Sequence, residues 1–235
     1  MKIALLGYGK MGKTIEALAI QKGHTVVYKS TSTTSEGILS EANVAIEFSS
    51  PDIAIKNIAK SFEAGVPVVC GTTGWLDRYE EILKLCEQRN GSFLYASNFS
   101  VGVNLFFKLN AYAASLFEDW KEYMPAIEEV HHTQKKDAPS GTAITLAEGV
   151  LKHRNETDWV LDKQQKDKVT IKAQRIDDVK GTHTVTYASD IDTVSLKHEA
   201  HSRDGFALGA ILAAEWLQNK EGVFTMEDVL FRSNS

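Results

Sequence analysis

KIALLGYGKMGKTIEALAIQKGHTVVYK, residues 2–29, decides the fold. Lys2 to Leu6 is an apolar run of strand length that ends at Gly7-Tyr8-Gly9-Lys10-Met11-Gly12. Behind it Met11, Ile15, Leu18 and Ala19 trace one helix face, Gly23 offers the stop, and His24 to Tyr28 reads as a second strand. Strand, GxGxxG and helix form the context that a dinucleotide fingerprint requires. The glycines let the backbone turn tightly and approach a pyrophosphate, which rests on the helix N-terminus. The bland alternative is a glycine-rich turn that binds nothing. Gly7, Tyr8, Gly9, Lys10, Met11 and Gly12 are therefore candidate cofactor residues.

The pattern repeats outward from there. Val44 to Phe48 reads as a third strand, followed by a helix with Ile55, Ile58, Ala59 and Phe62 on its apolar face and Gly65 at its end. Val66 to Cys70 gives a fourth strand, Leu76 to Arg89 a helix, and Phe93 to Ala96 a fifth strand before a helix over about Val103 to Phe117. Such alternation implies a parallel, doubly wound sheet of Rossmann type. Gly71-Thr72-Thr73-Gly74 and Ser97-Asn98-Phe99 both fall at strand carboxyl ends, where open α/β sheets place ligands. Gly71, Thr72, Thr73, Ser97, Asn98 and Phe99 join the cofactor candidates, although the first turn could merely reverse the chain and Phe99 could be a plain core aromatic. Cys70 reads as a buried strand cysteine, since no base is its evident neighbour.

A carboxylate at the end of the second strand would bind a ribose diol and repel a 2′-phosphate. None stands there; the chain runs Tyr28-Lys29-Ser30-Thr31-Ser32, and Ser30 to Ser35 reads as a loop. Lys29 is a point charge suited to phosphate. The expected cofactor is NADPH or NADH, with NADPH favoured.

From Ala126 the period changes to two, at Val169-Ile171-Ala173, His183-Val185-Tyr187 and Val194-Leu196-His198-Ala200. Strands with one long helix among them suggest an α+β region with a mixed or antiparallel sheet. Lys152 to Lys168 reads as an irregular loop, and Phe206 to Gln218 as a final helix.

Composition bounds the classes. In 235 residues, 43% are hydrophobic and 24% charged, ordinary for a soluble globular protein. A formal charge of −5 gives no electrostatic reason to expect nucleic acid. No apolar run has membrane-spanning length. Two cysteines fit a reducing compartment, no signal-peptide pattern precedes the first strand, and the expectation is a cytoplasmic protein.

The chemistry concentrates in EEVHHTQKKDAPSGTA, residues 128–143. Ala126 to His132 reads as a strand that sends His131 and His132 to opposite faces. Ser140 is an N-cap signal, and the helix start Ser140-Gly141-Thr142 makes a cradle for an anion. Lys135 and Lys136 lie in the loop between. A proton donor, an ammonium and a helix start point to a small carboxylate. Zinc on His131, His132 and Glu129 is disfavoured, because adjacent strand residues diverge and no third ligand has metal spacing.

The same residues carry a resemblance. HH, two residues, K, one residue and DAPSGTA is similar to the signature of the dihydrodipicolinate reductase family. Gly7–Gly12, Gly71–Gly74, Asn98–Asn104 and the GTH at Gly181–His183 fit it as well, nearly end to end. The resemblance implies reduction of a cyclic imine dicarboxylate by a nicotinamide hydride, in lysine and diaminopimelate biosynthesis. It implies His131 as general acid and Lys135 as second proton donor, with His132, Ser140, Gly141 and Thr142 holding the dicarboxylate. It places Asn98 and Phe99 against the nicotinamide end of the cofactor. It further implies a dinucleotide domain of residues 1–102 and 206–235, a substrate and oligomerisation domain of 103–205, hinges near Val101–Val103 and Asp204–Phe206, and a homotetramer. Arg175, His183 and Arg203 could approach the substrate or be satisfied elsewhere. Two other readings stay open: another Rossmann dehydrogenase of amino-acid semialdehydes, or a nicotinamide-binding regulator without turnover. An acylating semialdehyde dehydrogenase would need a nucleophilic cysteine, for which Cys70 and Cys86 are poorly placed.

Overall fold

Residues 1–202 and 204–231 are described in the computed structural model. In chain order the elements are β1 (Lys2–Leu6), α1 (Lys10–Gln21), β2 (Thr25–Ser30), β3 (Ser35–Gly37), β4 (Val44–Glu47), α2 (Pro51–Glu63), β5 (Val68–Cys70), α3 (Tyr79–Gln88), β6 (Ser92–Tyr95) and α4 (Val101–Leu116). There follow β7 (Met124–His131), α5 (Gly141–Leu151), β8 (Asp158–Leu161), β9 (Lys168–Arg175), β10 (Thr182–Ala188), β11 (Thr193–Glu199), α6 (Asp204–Leu217), β12 (Gly222–Phe224) and α7 (Met226–Leu230). The chain divides into two units, Met1–Val101 with Asp204–Ser235, and Gly102–Arg203.

The first unit carries a seven-stranded sheet in the order β12-β6-β5-β4-β1-β2-β3. All its pairings are parallel except β2 with β3. Because β1 lies between β2 and β4, the strand order reverses there, the position at whose carboxyl ends such sheets bind ligands. β1, β4 and β5 are buried on both faces and mostly apolar because helices cover both. α6 is apolar nearly all round and accordingly buried. It comes so close to the segment after β6 that a Cβ on Gly209 would meet the Phe99 carbonyl oxygen at 1.7 Å.

The second unit is a mixed sheet in the order β11-β10-β7-β9-β8. β7 runs parallel to β9 and antiparallel to β10. Ile127, Ile171, Val185 and Tyr187 share one buried face with residues of α4 and α5. Along β10 the exposure alternates, so Thr182, Thr184 and Thr186 lie on the other, half-open face.

Three expectations needed correction. The segment from Lys152 to Lys168 is not wholly irregular: β8 forms within it, and Trp159 and Leu161 pack against the core. Four residues with no clean alternation carry too little signal for a strand to be read from sequence. The polar tract after β2 is shorter than expected, since Ser35 already pairs with Ser30 in the antiparallel edge. Finally, α6 is not the last element, because β12 extends the parallel sheet beside β6 and α7 follows with a capping box at Thr225 and Asp228.

Candidate functional site

The loop after β1 is shaped by its glycines. Gly7 has φ +98°, and a Cβ there would lie 2.1 Å from the Phe48 carbonyl oxygen. A Cβ on Gly12 would meet the Gly7 carbonyl oxygen at 2.6 Å, which fastens α1 close beneath the loop. Around Gly9 nothing lies within 4 Å of that position, and Gly9 and Lys10 are exposed. Two glycines thus serve the fold, and the third leaves room for a ligand to meet backbone N–H groups at a helix start.

Neighbouring strand ends contribute unequally. Thr72 is buried, its hydroxyl accepting the Ser49 N–H at 2.8 Å and its carbonyl accepting the Trp75 indole N–H at 2.7 Å. Thr73 and Ser97 are exposed. Buried Glu47 accepts from Ser49 N and from Asn57 Nδ2 at 3.1 and 3.2 Å, and so steadies the loop after β4. Asn98 Oδ1 accepts the Ser100 N–H at 2.9 Å. Phe99 is 2% exposed and its ring packs against Phe48 in the core. Burial raises the Cys70 thiol well above its ordinary value and Glu47 adds to that, so Cys70 is no thiolate.

Lys29 is engaged. Its ammonium sits 2.6 Å from Glu16 Oε1 and 3.6 Å from Glu36 Oε1, and 4.8 Å from the centre of the Tyr8 ring. The Tyr8 hydroxyl donates a short hydrogen bond to the other Glu16 oxygen. Burial alone would raise the Glu16 carboxyl, but the bonds from Lys29 and Tyr8 hold it below its ordinary value. Glu16 gives no such signal in sequence, where it reads as an ordinary polar helix residue.

A cleft of about 430 Å³ lies elsewhere on the same unit, lined by Asn43, Gly65, Asn90 and Lys220 among others. These residues flank the amino ends of the strands, away from where such sheets bind ligands, and gather no chemistry.

In the second unit the motif residues converge. Period two along β7 puts Glu129 and His131 on the buried face, and register sets His183 opposite Glu129 and Arg175 beside His131. Glu129 is fully buried. Its two oxygens accept the Ser140 N–H at 3.1 and 3.0 Å, and Arg175 Nη2 donates to Oε1 at 3.2 Å. His131 Nδ1 and His183 Nε2 stand 3.6 and 3.7 Å from Oε2. His183 Nε2 also meets Ser140 Oγ at 3.2 Å, and that oxygen caps α5 by accepting the Ala143 N–H at 3.2 Å. At Gly141 nothing lies within 4 Å of where a side chain would stand, so the helix start is open.

Electrostatics follow from this packing. Burial works against charge on Glu129, yet bonds from His183 and Ser140, with the nearby His131, bring its pKa down to about 2. Burial also pushes His131 down to about 4; His183, Lys135 and Arg175 add to that, and Glu129 opposes it. Lys135 Nζ donates to both Asp137 oxygens at 2.8 Å, and Asp137 lies below its ordinary value through that partner despite burial. Arg175 also donates to the carbonyls of Lys135 and Asp137 at 3.3 and 2.6 Å, and so clamps the loop. Arg203 lies outside the described residues.

His131 and Ser140 thus meet at Glu129, Lys135 lies in the loop that Arg175 clamps, Gly141 and Thr142 follow Ser140 at the start of α5, and His132 follows β7. Glu129 and His183 complete a group in which one ligand atom from each of Glu129, His131 and His183 lies within 4.8 Å of the others. His183 joins Glu129 from the neighbouring strand, through a register that spacing in the chain does not reveal. Arg175 and the Ser140 N–H already neutralise the carboxylate, which makes it an ion-paired hub.

Two family models match, dihydrodipicolinate reductase N-terminus over residues 1–99 and C-terminus over residues 102–230. The chain is 49% identical to a 4-hydroxy-tetrahydrodipicolinate reductase of Christiangramia forsetii, with 98% of each covered. It is 40% identical to the enzyme of the same name from Methanococcoides burtonii, over 81% of this chain and 74% of that one. Dipicolinate-bound dihydrodipicolinate reductase from Paenisporosarcina sp. TG-14 shares the fold with TM-score 0.77 at 19% identity, covering 96% and 97% of the two chains. With both halves matched and near full-length identity of 49%, the chain belongs to the dihydrodipicolinate reductase family.

Proposed function

We propose that the chain reduces 4-hydroxy-tetrahydrodipicolinate to tetrahydrodipicolinate with a hydride from a nicotinamide cofactor, a step of lysine and diaminopimelate biosynthesis. The observation that carries the site assignment is the clustering of His131 with the open, Ser140-capped start of α5. Net, the ring takes up a hydride and a proton, and the 4-hydroxyl leaves as water.

The first unit takes the dinucleotide. Its pyrophosphate meets Gly9, Lys10 and Met11 at the start of α1, with Tyr8 beside the adenosine end. Thr73, Ser97 and Asn98 stand at strand ends suited to the nicotinamide half, and Phe99 backs them from the core. The second unit takes the dicarboxylate. The helix dipole and N–H groups at Gly141 and Thr142 receive one carboxylate, and His132 and Lys135 receive the rest of the dianion. His131 supplies the proton as the hydride arrives, and Lys135 stands as second donor beside the ring nitrogen. In the free protein His131 is held neutral; a dianion brought to it raises its proton affinity.

In the chain no carboxylate directly follows β2, where Thr31, Ser32, Thr33 and Thr34 offer hydroxyls, and the two acids nearby, Glu16 and Glu36, both face the Lys29 ammonium. NADPH is therefore used at least as well as NADH. The chain works in the cytoplasm as a homotetramer. A stripe of exposed apolar residues on and after α4, Leu105, Leu109, Tyr112, Leu116 and Trp120, supports self-association.

Following cofactor absorbance with freshly made cyclic substrate tests the reaction. Substrate-dependent oxidation of NADPH or NADH is expected, and its absence with both cofactors would remove the reading.

A further inference from the structure

Resting on the reading of His131 as proton donor, we infer that Glu129 is a positioning residue of the reduction. One buried carboxylate ties the proton donor to the anion-receiving start of α5.

Burying an acid is costly unless it is paired, and an apolar side chain would suit the same sheet face, as Ile127 two residues earlier shows. The chain instead spends groups from four places on this carboxylate: His131 from its own strand, His183 from β10, Arg175 from the end of β9 and the Ser140 N–H from the helix start. Structural pairing alone would be met by Arg175. Two of the further partners, His131 and the Ser140 N–H, belong to the proposed proton donor and to the anion-receiving helix start.

Two consequences follow. Both Glu129 oxygens accept from Ser140 N, at 3.1 and 3.0 Å, so this carboxylate fixes where α5 begins and where its open N–H groups point. His183 reinforces it by bridging Glu129 Oε2 and Ser140 Oγ. The second consequence is electrostatic. Among the described residues Glu129 is the acid that acts most on His131, against His183, Lys135 and Arg175 on the positive side. Asp137 is turned to Lys135. Without Glu129 burial and these positive neighbours would act on the imidazolium unopposed, and a bound dianion would have to raise its proton affinity from a lower starting point. At 3.6 Å the pair is too long for a hydrogen bond but well inside Coulombic reach.

The test uses the full chain with saturating cofactor and compares Glu129→Gln, Glu129→Asp and His131→Gln with wild type. Glu129→Gln should lower kcat about tenfold or more at neutral pH and move the pH at half-maximal turnover to the acid side by about 1–3. Cofactor Kd, read by quenching, should stay as in wild type. Glu129→Asp keeps the charge one methylene further away; it should give the same displacement in smaller measure and recover part of kcat. NMR titration of the His131 ring should move with the kinetic profile. Loss of kcat with an unmoved pH profile and an unmoved His131 titration would make Glu129 merely structural and overturn the inference. Should Glu129→Gln fail to fold, an Asp variant with wild-type profile and titration overturns it equally. His131→Gln keeps the two ideas apart: if that variant turns over normally, the proton-donor reading fails first.

Discussion

Lys29 Nζ lies 2.6 Å from Glu16 Oε1, so the ammonium that suits a 2′-phosphate is already held by an acid from the neighbouring helix. Both groups are partly exposed, and such pairs contribute about 1 kcal/mol or less. A 2′-phosphate can therefore draw Lys29 away, at a modest cost in affinity. Glu16→Gln should release Lys29 and raise kcat/KM for NADPH over NADH by up to about fivefold. Lys29→Ala should move the ratio the other way. A ratio unchanged in both variants would take Lys29 and Glu16 out of cofactor choice.

His131→Gln should lower kcat by about 10²–10⁴-fold, the span of general acid–base catalysis, with cofactor affinity unchanged. The ring is 8% exposed at the end of β7, where glutamine keeps the volume but cannot carry the proton. Near-normal turnover would remove this histidine from the chemistry.

Lys135 and Lys136 are adjacent but differ in placement. Lys135 is engaged by Asp137, with its carbonyl clamped by Arg175, whereas Lys136 is exposed. Lys135→Ala should raise KM for the dicarboxylate and lower kcat, since an ammonium beside a dianion acts in both the ground and transition states. Lys136→Ala should be mild. Equal losses from the two variants would mean that the motif register is wrong.

The exposed stripe on α4 predicts that Tyr112→Glu shifts the assembly toward smaller species. Tyr112 is 65% exposed, among Leu109 at 56% and Leu116 at 58%, an arrangement better suited to a partner than to water. Sedimentation velocity on wild type and variant reads it. A wild-type monomer would remove the homotetramer, and an unmoved distribution would remove this stripe from the interface.

Periodicity made the doubly wound sheet legible, because β1 and β5 end at Gly7 and Gly71, β4 ends at the Ser49-Ser50-Pro51 punctuation, and β2 runs out into a polar tract. Short elements without periodicity, β3, β8 and β12, were not legible; their strand character comes from pairing with a neighbour already in place. The site divides in the same way. His131, Lys135 and Ser140 stand together in one stretch, whereas His183 reaches Glu129 only through a register that links residues 54 positions apart. Lys29 with Glu16 is the sharpest case. The strand end was readable, but the helix residue facing it depends on how α1 packs over β2.

Acid should weaken the fold in two windows, the first of which belongs in part to His131. Its folded pKa of about 4 lies below the ordinary 6.5, so below pH 6.5 the unfolded chain binds this proton more readily than the native one. Stability is then lost as pH falls from 6.5 to about 4, by about 3 kcal/mol at most for this group. Glu129 acts lower. Its folded value of about 2 lies under the ordinary 4.5, so its contribution is present above 4.5 and lost as pH falls through 2. Denaturant midpoints measured from pH 7 to pH 4 should fall in wild type and fall less in His131→Gln, which has no imidazole to protonate. Half-buried His198, also held below its ordinary value by burial, contributes to both proteins and drops out of the difference. Parallel pH curves for the two would show that His131 is not held neutral in the fold.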